Sequence, residues 1–171
     1  MNTANVITAS LYASNSEAVR NLCIALAGPL KRHPEEVLAA ALWGADMGLG
    51  LMASQRMFYV ISGRITLAAA GYAALARRHP ECKKFATVKH TNEGCAIEVI
   101  RGSNDPMVVQ FTMQDAKQAG LTGSQTWRKF PKAMLYWRCA QRAALMVFPD
   151  ACAGFVGEAD LAEEAASVST D

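Results

Sequence analysis

The feature that most constrains this fold is a stretch bounded by two prolines, Pro131 and Pro149. Proline fits the first turn of a helix, where its missing N–H is not needed, but it interrupts a helix interior. The stretch therefore predicts one long helix that begins near Pro131 and stops at Pro149. Such a helix buries one side and exposes the other, so the order of its residues also predicts how it packs.

Helical periodicity divides this stretch into an apolar side and a basic side. At about 100° per residue, small and apolar residues share one stripe, which is the expected core side: Ala133, Trp137, Ala140, Ala144 and Val147. Lys132, Arg138 and Arg142 fall on the opposite half of the helix. Arg128 and Lys129 continue the basic side if the helix extends back past the proline.

The cations of this helix have no acidic partners within it. No Asp or Glu lies between Asp115 and Asp150, whereas ordinary surface helices mix both signs at a spacing of one turn. From residue 56 to 142 there are fourteen Lys or Arg against five acids, a balance of +9. From residue 143 onward there are six acids and no Lys or Arg. The basic side therefore fits the phosphates of a nucleic acid, with a merely solvated surface as the alternative.

Two helices are predicted near the start of the chain. Ser16 is a suitable N-cap for a helix that runs to about Leu30. Pro34 occupies a natural first helical position and opens a second helix, which Gly48 and Gly50 end. The two helices could pair as a short hairpin. Their apolar residues are equally suited to the core and to contacts between copies of the chain.

A β-hairpin and a helix are predicted next. Met57–Ile61 is rich in residues that favour strands, and Ser62-Gly63 can turn the chain toward Arg64 and Ile65. Thr66 is then expected to cap a helix that Pro80 closes. This hairpin would contribute two strands to the fold.

Three further strands and a brief helix are predicted before the long helix. The segments FATVKH, CAIEVIR and MVVQFT are separated by turn residues, which is typical of an antiparallel meander. Thr112 and Asp115 form a capping box for a helix that ends at Gly120, and GLTGSQT follows as a loop. The predicted fold class is α+β, with a small antiparallel sheet, made of the hairpin and the meander, packed with helices. We expect a flexible N-terminus (residues 1–15), a single domain (16–157) and an acidic tail (158–171).

Several classes of protein are disfavoured by the residues that are missing. The five cysteines are spread along the chain without a Cys-x-x-Cys pair, which favours reduced thiols in a cytoplasm. No apolar run is long enough for a membrane span, and the start does not read as a secretory signal. We find no phosphate-binding loop, nucleophile elbow or spaced carboxylate cluster, and so expect no catalytic site, cofactor or metal.

Trp127 precedes the long helix and has two interpretations. It is either a packing anchor or a platform on which a base stacks. It also opens a pattern, W-x-x-F-P-x-x-M-L-x-W-R-x-x-x-R, that ends at Arg142 and is followed by F-P-D at residues 148–150. Upstream lie the blocks GADMGLGLMASQRMFYVISGRITLAAAGYAALARRHPECKKF and TMQDAKQAGL.

These ordered blocks, which cover about residues 34–161, resemble the phage RecT/Redβ-type single-strand annealing recombinases. The resemblance implies a protein that coats single-stranded DNA and pairs complementary strands without ATP, passing through an annealing-intermediate duplex. It also implies homo-oligomers, either rings or helical filaments. A phage exonuclease or a host single-strand-binding protein is the further partner that such a protein suggests.

The resemblance also points to DNA-binding residues. Arg138 and Arg142 match helix arginines that would contact the DNA backbone, with Lys132 on the same side. Arg64 matches a basic position beside the hairpin. The remaining candidates are Arg128, Lys129, Trp127, Lys83 and Lys84, followed by Lys89, Arg101 and Lys117.

Two other functions stay open at this point. The chain could be a non-enzymatic assembly protein whose basic face binds an acidic partner, including the acidic end of a neighbouring copy. It could also be a metal-dependent phage nuclease with an unrecognised site. Divalent-metal-dependent products would indicate the nuclease, and oligomers that ignore DNA would indicate the assembly protein.

Overall fold

A computed structural model describes residues 17–61 and 64–152. These described residues form an α+β fold with seven α-helices and two small antiparallel sheets, which confirms the predicted class. The predicted flexible N-terminus, the acidic tail and the Ser62-Gly63 turn lie outside the described residues. The chain divides after Ala68 into two compact units, and this division falls within the range predicted as one domain.

The first unit begins with two helices, α1 (Glu17–Leu30) and α2 (Pro34–Asp46), close to the predicted bounds. They pack through a small core in which Cys23, Ala27 and Val37 are buried. Pro34 stands at the start of α2, as the sequence predicts. Two acidic residues follow it in the first turn, where the helix dipole favours negative charge.

A short helix that the sequence did not predict, α3 (Leu51–Met57), precedes the hairpin. It packs closely on α2, because a Cβ added at Gly44 would lie 1.8 Å from the Ser54 hydroxyl oxygen. Arg32 stabilises this corner by donating from Nη2 to the carbonyl oxygen of Phe58 (2.8 Å) and from Nη1 to that of Gln55 (3.1 Å).

The hairpin consists of β1 (Phe58–Ile61) and β2 (Arg64–Leu67). Its register pairs Phe58 with Leu67 and Ile61 with Arg64. The expectation that Thr66 caps a helix is wrong, because Thr66 lies within β2 and pairs with Tyr59. As a β-branched residue, Thr66 is well suited to this strand position.

The second unit places two helices on a three-stranded sheet. The strands β3 (Cys82–His90), β4 (Gly94–Arg101) and β5 (Met107–Thr112) form the predicted antiparallel meander, with β4 at the centre. The helices that pack on it are α4 (Ala69–Arg78) and α7 (Pro131–Val147).

Along the chain, three short elements connect β5 to α7. They are α5 (Met113–Gln118), a 3₁₀ turn (Leu121–Gly123) and α6 (Gln125–Lys129). The Thr112–Asp115 capping box is confirmed. The segment GLTGSQT is not only a loop, because it contains the 3₁₀ turn and the start of α6. Ser124 caps α6 by accepting from the backbone N–H of Trp127 at 3.4 Å.

Within the described residues, no single helix has the length and apolar character needed to cross a membrane. Among the described helices, α2 and α3 taken together reach that length and apolar character, across a bend of 109°.

Candidate nucleic-acid interface

The long helix α7 buries a different side from the one that periodicity predicts. Its buried residues centre on Leu135, Cys139 and Ala143, which face the sheet and α4. The Cys139 thiol donates to the carbonyl oxygens of Cys95 (3.4 Å) and Val109 (3.3 Å), so this side lies directly on the strands. The predicted core stripe is buried at Ala140 and Ala144, toward the C-terminal end of the helix.

The N-terminal half of the predicted stripe is open. Ala133 is exposed, and the prediction that Trp137 belongs to the core is wrong, because its side chain is 38% exposed. The reason is geometric: α7 is rotated so that Leu135 and Cys139, rather than Ala133 and Trp137, face the sheet. The sequence could not distinguish these neighbouring stripes, since both consist of small or apolar residues.

Two roles were predicted for Trp127, a packing anchor and a base-stacking platform, and the structure shows the packing role. It lies in α6 and is only 4% exposed, so in this conformation its indole offers no open face to a base. The structure thus buries Trp127 and leaves Trp137 on the surface.

Arg142 is half-buried and joins α7 to β5. Its Nη1 donates to the carbonyl oxygen of Gln110 at 3.0 Å, and its guanidinium carbon lies 4.7 Å from the centre of the Phe111 ring. Part of its role is therefore structural. A substitution of Arg142 would disturb the packing of the helix as well as any contact with DNA.

Arg138 and Arg142 line one cavity of about 70 Å³ between α7 and the segment that follows β5. Arg138 donates from Nη1 to Gln141 Oε1 at 3.3 Å. Asp115 shares the cavity, and the hydrogen bond from the Thr112 hydroxyl, assisted by the charge of Arg142, lowers the pKa of this carboxyl. Two guanidinium groups and one carboxylate give the cavity a positive balance.

The bend between α6 and α7 carries three exposed cations. Arg128, Lys129 and Lys132 are all on the surface, although Arg128 donates from Nη2 to the carbonyl oxygen of Gly123 at 2.9 Å. Within the described part of the chain, no ion pair involves Lys129 or Lys132. These two ammonium groups are therefore exposed positive charges that no described ion pair neutralises.

The candidate lysines of β3 and α5 have varied surroundings. Lys83 and Lys89 of β3 are exposed, and so is Lys117 of α5. Lys84 is also exposed, but it forms an ion pair with Glu98 of the neighbouring strand. Such a pair reduces the net positive charge that Lys84 contributes to the surface.

Arg101 is engaged in a structural network rather than in an open basic surface. Its Nε lies 2.8 Å from Glu81 Oε2, and its two terminal nitrogens each lie 2.8 Å from an oxygen of Asp150. The hydrogen bonds from Arg101 lower the pKa of Asp150 to about 2. His79 also bonds to Asp150 at 3.1 Å, so this network connects the ends of α4, β4 and α7.

Arg64 begins β2, opposite Ile61, and is the one predicted DNA-binding residue that belongs to the first unit. The other eleven candidates are in the second unit. Six of these are in α6 or α7: Trp127, Arg128, Lys129, Lys132, Arg138 and Arg142. The structure thus gathers half of the twelve predicted residues on two consecutive helices.

A group of exposed aromatic residues beside these lysines was missed by the sequence analysis. Phe130, at the bend, is 60% exposed, and Trp137 follows it by seven residues. Tyr136 contacts Trp137 edge-on, with ring centres 4.8 Å apart. The concentration of aromatic residues was a usable signal, because Phe130, Tyr136 and Trp137 lie within eight residues of one another. Phe130, Tyr136 and Trp137, together with Lys129 and Lys132, are called the aromatic–lysine patch below.

A comparison with protein-family models finds no match for this chain, and a comparison with curated proteins finds none either. Within residues 17–61 and 64–152, no three His, Cys, Asp or Glu side chains are grouped so that they could hold a metal ion.

Proposed function

We propose that this protein binds single-stranded DNA and anneals complementary strands without ATP, in phage-type homologous recombination. The observation that carries the proposal is the exposed pair Lys129 and Lys132, in a segment from residue 116 to 149 that contains no acid. Exposed ammonium groups with no acidic neighbour on their own helix suit phosphate oxygens. The sequence blocks that resemble RecT-type proteins support the same function.

Strand annealing requires no catalytic step by the protein. Cations hold the phosphates of one strand and leave the base edges open to a complementary strand. Stacking in the new duplex supplies on the order of 1.4 kcal/mol per base-pair step, so no nucleotide hydrolysis is needed. The protein acts as a homo-oligomer, ring or filament, so that neighbouring copies extend the track along the strand. A phage exonuclease or a host single-strand-binding protein completes the proposed pathway.

Arg138 and Arg142 have a secondary place in this proposal. They are half-buried and already hydrogen-bonded within the protein, so they are less available to phosphates than the exposed lysines. Lys129 and Lys132 give the cleaner test, because their substitution removes charge without removing a described ion pair.

The proposal is tested by measuring the affinity for a fluorescent oligo-dT across a series of salt concentrations. The variant Lys129→Ala/Lys132→Ala is compared with wild type and with Lys31→Ala/Arg56→Ala, which removes two exposed cations of the first unit. Loss of two phosphate contacts should make the plot of log K against log salt shallower by about 1.4. The control pair should keep the wild-type slope.

Two results contradict the proposal. One is a wild-type protein that does not bind the oligonucleotide at low salt. The other is a slope that both double variants reduce equally, because binding would then follow net charge rather than this surface. Oligomers that form equally well with and without DNA, in a protein that binds no DNA, would instead support the assembly function.

A further inference from the structure

The aromatic–lysine patch exposes more aromatic surface than folding requires. Phe130 has no neighbour that buries it, being 60% exposed at the bend, and Trp137 is 38% exposed in α7. Tryptophan is usually well buried in a folded domain, and Trp127 only ten residues earlier is 4% exposed. The patch is therefore an exposed surface of aromatic rings with cations beside it.

Contacts within the protein hold the side chain of Trp137 in place. Tyr136 packs edge-on against Trp137, and the ring of His90 lies 5.5 Å from the ring of Tyr136. His90 in turn donates from Nε2 to the backbone carbonyl oxygen of Lys132 at 2.9 Å. The end of β3 thus supports the first turns of α7, and the exposed ring is fixed in position rather than free to collapse onto its surroundings.

We propose that Trp137 and Phe130 stack the unpaired bases of a bound strand while Lys129 and Lys132 hold its phosphates. This inference rests on the proposed function and specifies how the strand is held. An aromatic ring stacks on any base, so such a platform binds without sequence preference.

Charge favours a nucleic acid over an apolar protein as the occupant. A protein that covered the two rings would also bury Lys129 and Lys132, and no acid of their own helices is present to pair with them. A single strand supplies both partners, since every nucleotide carries a base and a phosphate. A duplex satisfies only the lysines, so the platform should favour single strands.

The test compares two 20-residue oligonucleotides, oligo-dT and the same backbone with tetrahydrofuran in place of every base. Wild type should bind oligo-dT tighter by on the order of tenfold or more. Trp137→Ala should lose most of this preference while binding the abasic strand as wild type does, and Trp137→Phe should retain it. Trp43→Ala is the matched control, because Trp43 is 37% exposed but lies in α2. Thermal unfolding of each variant confirms that it is folded.

The outcomes separate this inference from the proposed function. Equal wild-type affinities for the two strands, or a preference that survives in Trp137→Ala, would overturn the platform and leave DNA binding intact. The same holds if Trp137→Ala changes only the oligomeric state, because the patch would then be a contact between copies. A wild type that binds neither strand would overturn both proposals.

Discussion

The two halves of α7 differ in how much of their surface is buried, although both carry small and apolar residues. In the C-terminal half, Cys139, Ala140, Ala143 and Ala144 are completely buried against the sheet and α4. In the N-terminal half, Lys132, Ala133 and Trp137 are exposed. One helix therefore supplies both part of the core and the candidate interface. The core half fixes the position of the open half, so that an exposed tryptophan and its lysines are presented on a rigid element.

The largest expected effect is on the free energy of unfolding, when one alanine in each half of α7 is replaced by leucine. Ala144→Leu adds volume where the side chain is completely buried, and we expect it to lower the free energy of unfolding by about 1–3 kcal/mol. Ala133→Leu is the matched change at an exposed position of the same helix, and it should alter stability by no more than about 0.5 kcal/mol. Urea unfolding followed by circular dichroism measures both. Equal losses would contradict the contrast between the halves.

A smaller effect is expected at the end of the buried half, where Arg101 holds Asp150. Because the pKa of Asp150 is lowered to about 2 from 3.8, the carboxylate stabilises the fold above its unfolded pKa. That contribution is lost as pH falls from about 4 toward 2. Asp150→Asn should lower the melting temperature at pH 6, and the difference from wild type should shrink below pH 4.

Asp115 also has a lowered pKa. Because wild type and Asp150→Asn both contain Asp115, its contribution to the pH dependence cancels in the difference between their melting temperatures. A difference between Asp150→Asn and wild type that stayed constant from pH 6 to pH 2 would show that the ion pair with Arg101 does not stabilise the fold.

The smallest effect is chemical and leaves the fold unchanged. Burial raises the pKa of the Cys139 thiol to about 12, so its thiolate is scarce at pH 8 and its sulfur is inaccessible. Cys82, at the start of β3, is partly exposed. Iodoacetamide at pH 8 should label Cys82 well before Cys139, as followed by peptide mass spectrometry. Labelling at equal rates in the native protein, and not only in urea, would mean that the buried half opens readily.

Local signals in the sequence predicted the elements whose ends they mark. Pro131 and Pro149 bound α7, Thr112 and Asp115 cap α5, and turn residues separate the three strands of the meander. These features work because each depends on a few neighbouring residues. The fold class followed from their order along the chain.

Features that depend on distant contacts were predicted less well. The rotation of α7 is decided by the sheet and α4, and a stripe of alanines fits either of two neighbouring orientations. The exposure of Trp137 follows from that rotation. The short helices α3 and α6 were missed because each has fewer than eight residues, too few for a periodic pattern.

The central claim is that the open half of α7 and the adjoining bend serve strand annealing. It is tested most directly by mixing two complementary fluorescent oligonucleotides, without ATP, and following their pairing by energy transfer. Wild type should accelerate pairing, Lys129→Ala/Lys132→Ala should fall toward the protein-free rate, and Lys31→Ala/Arg56→Ala should remain close to wild type. A wild-type rate equal to the protein-free rate would contradict the account, and so would a lysine pair whose loss leaves annealing unchanged.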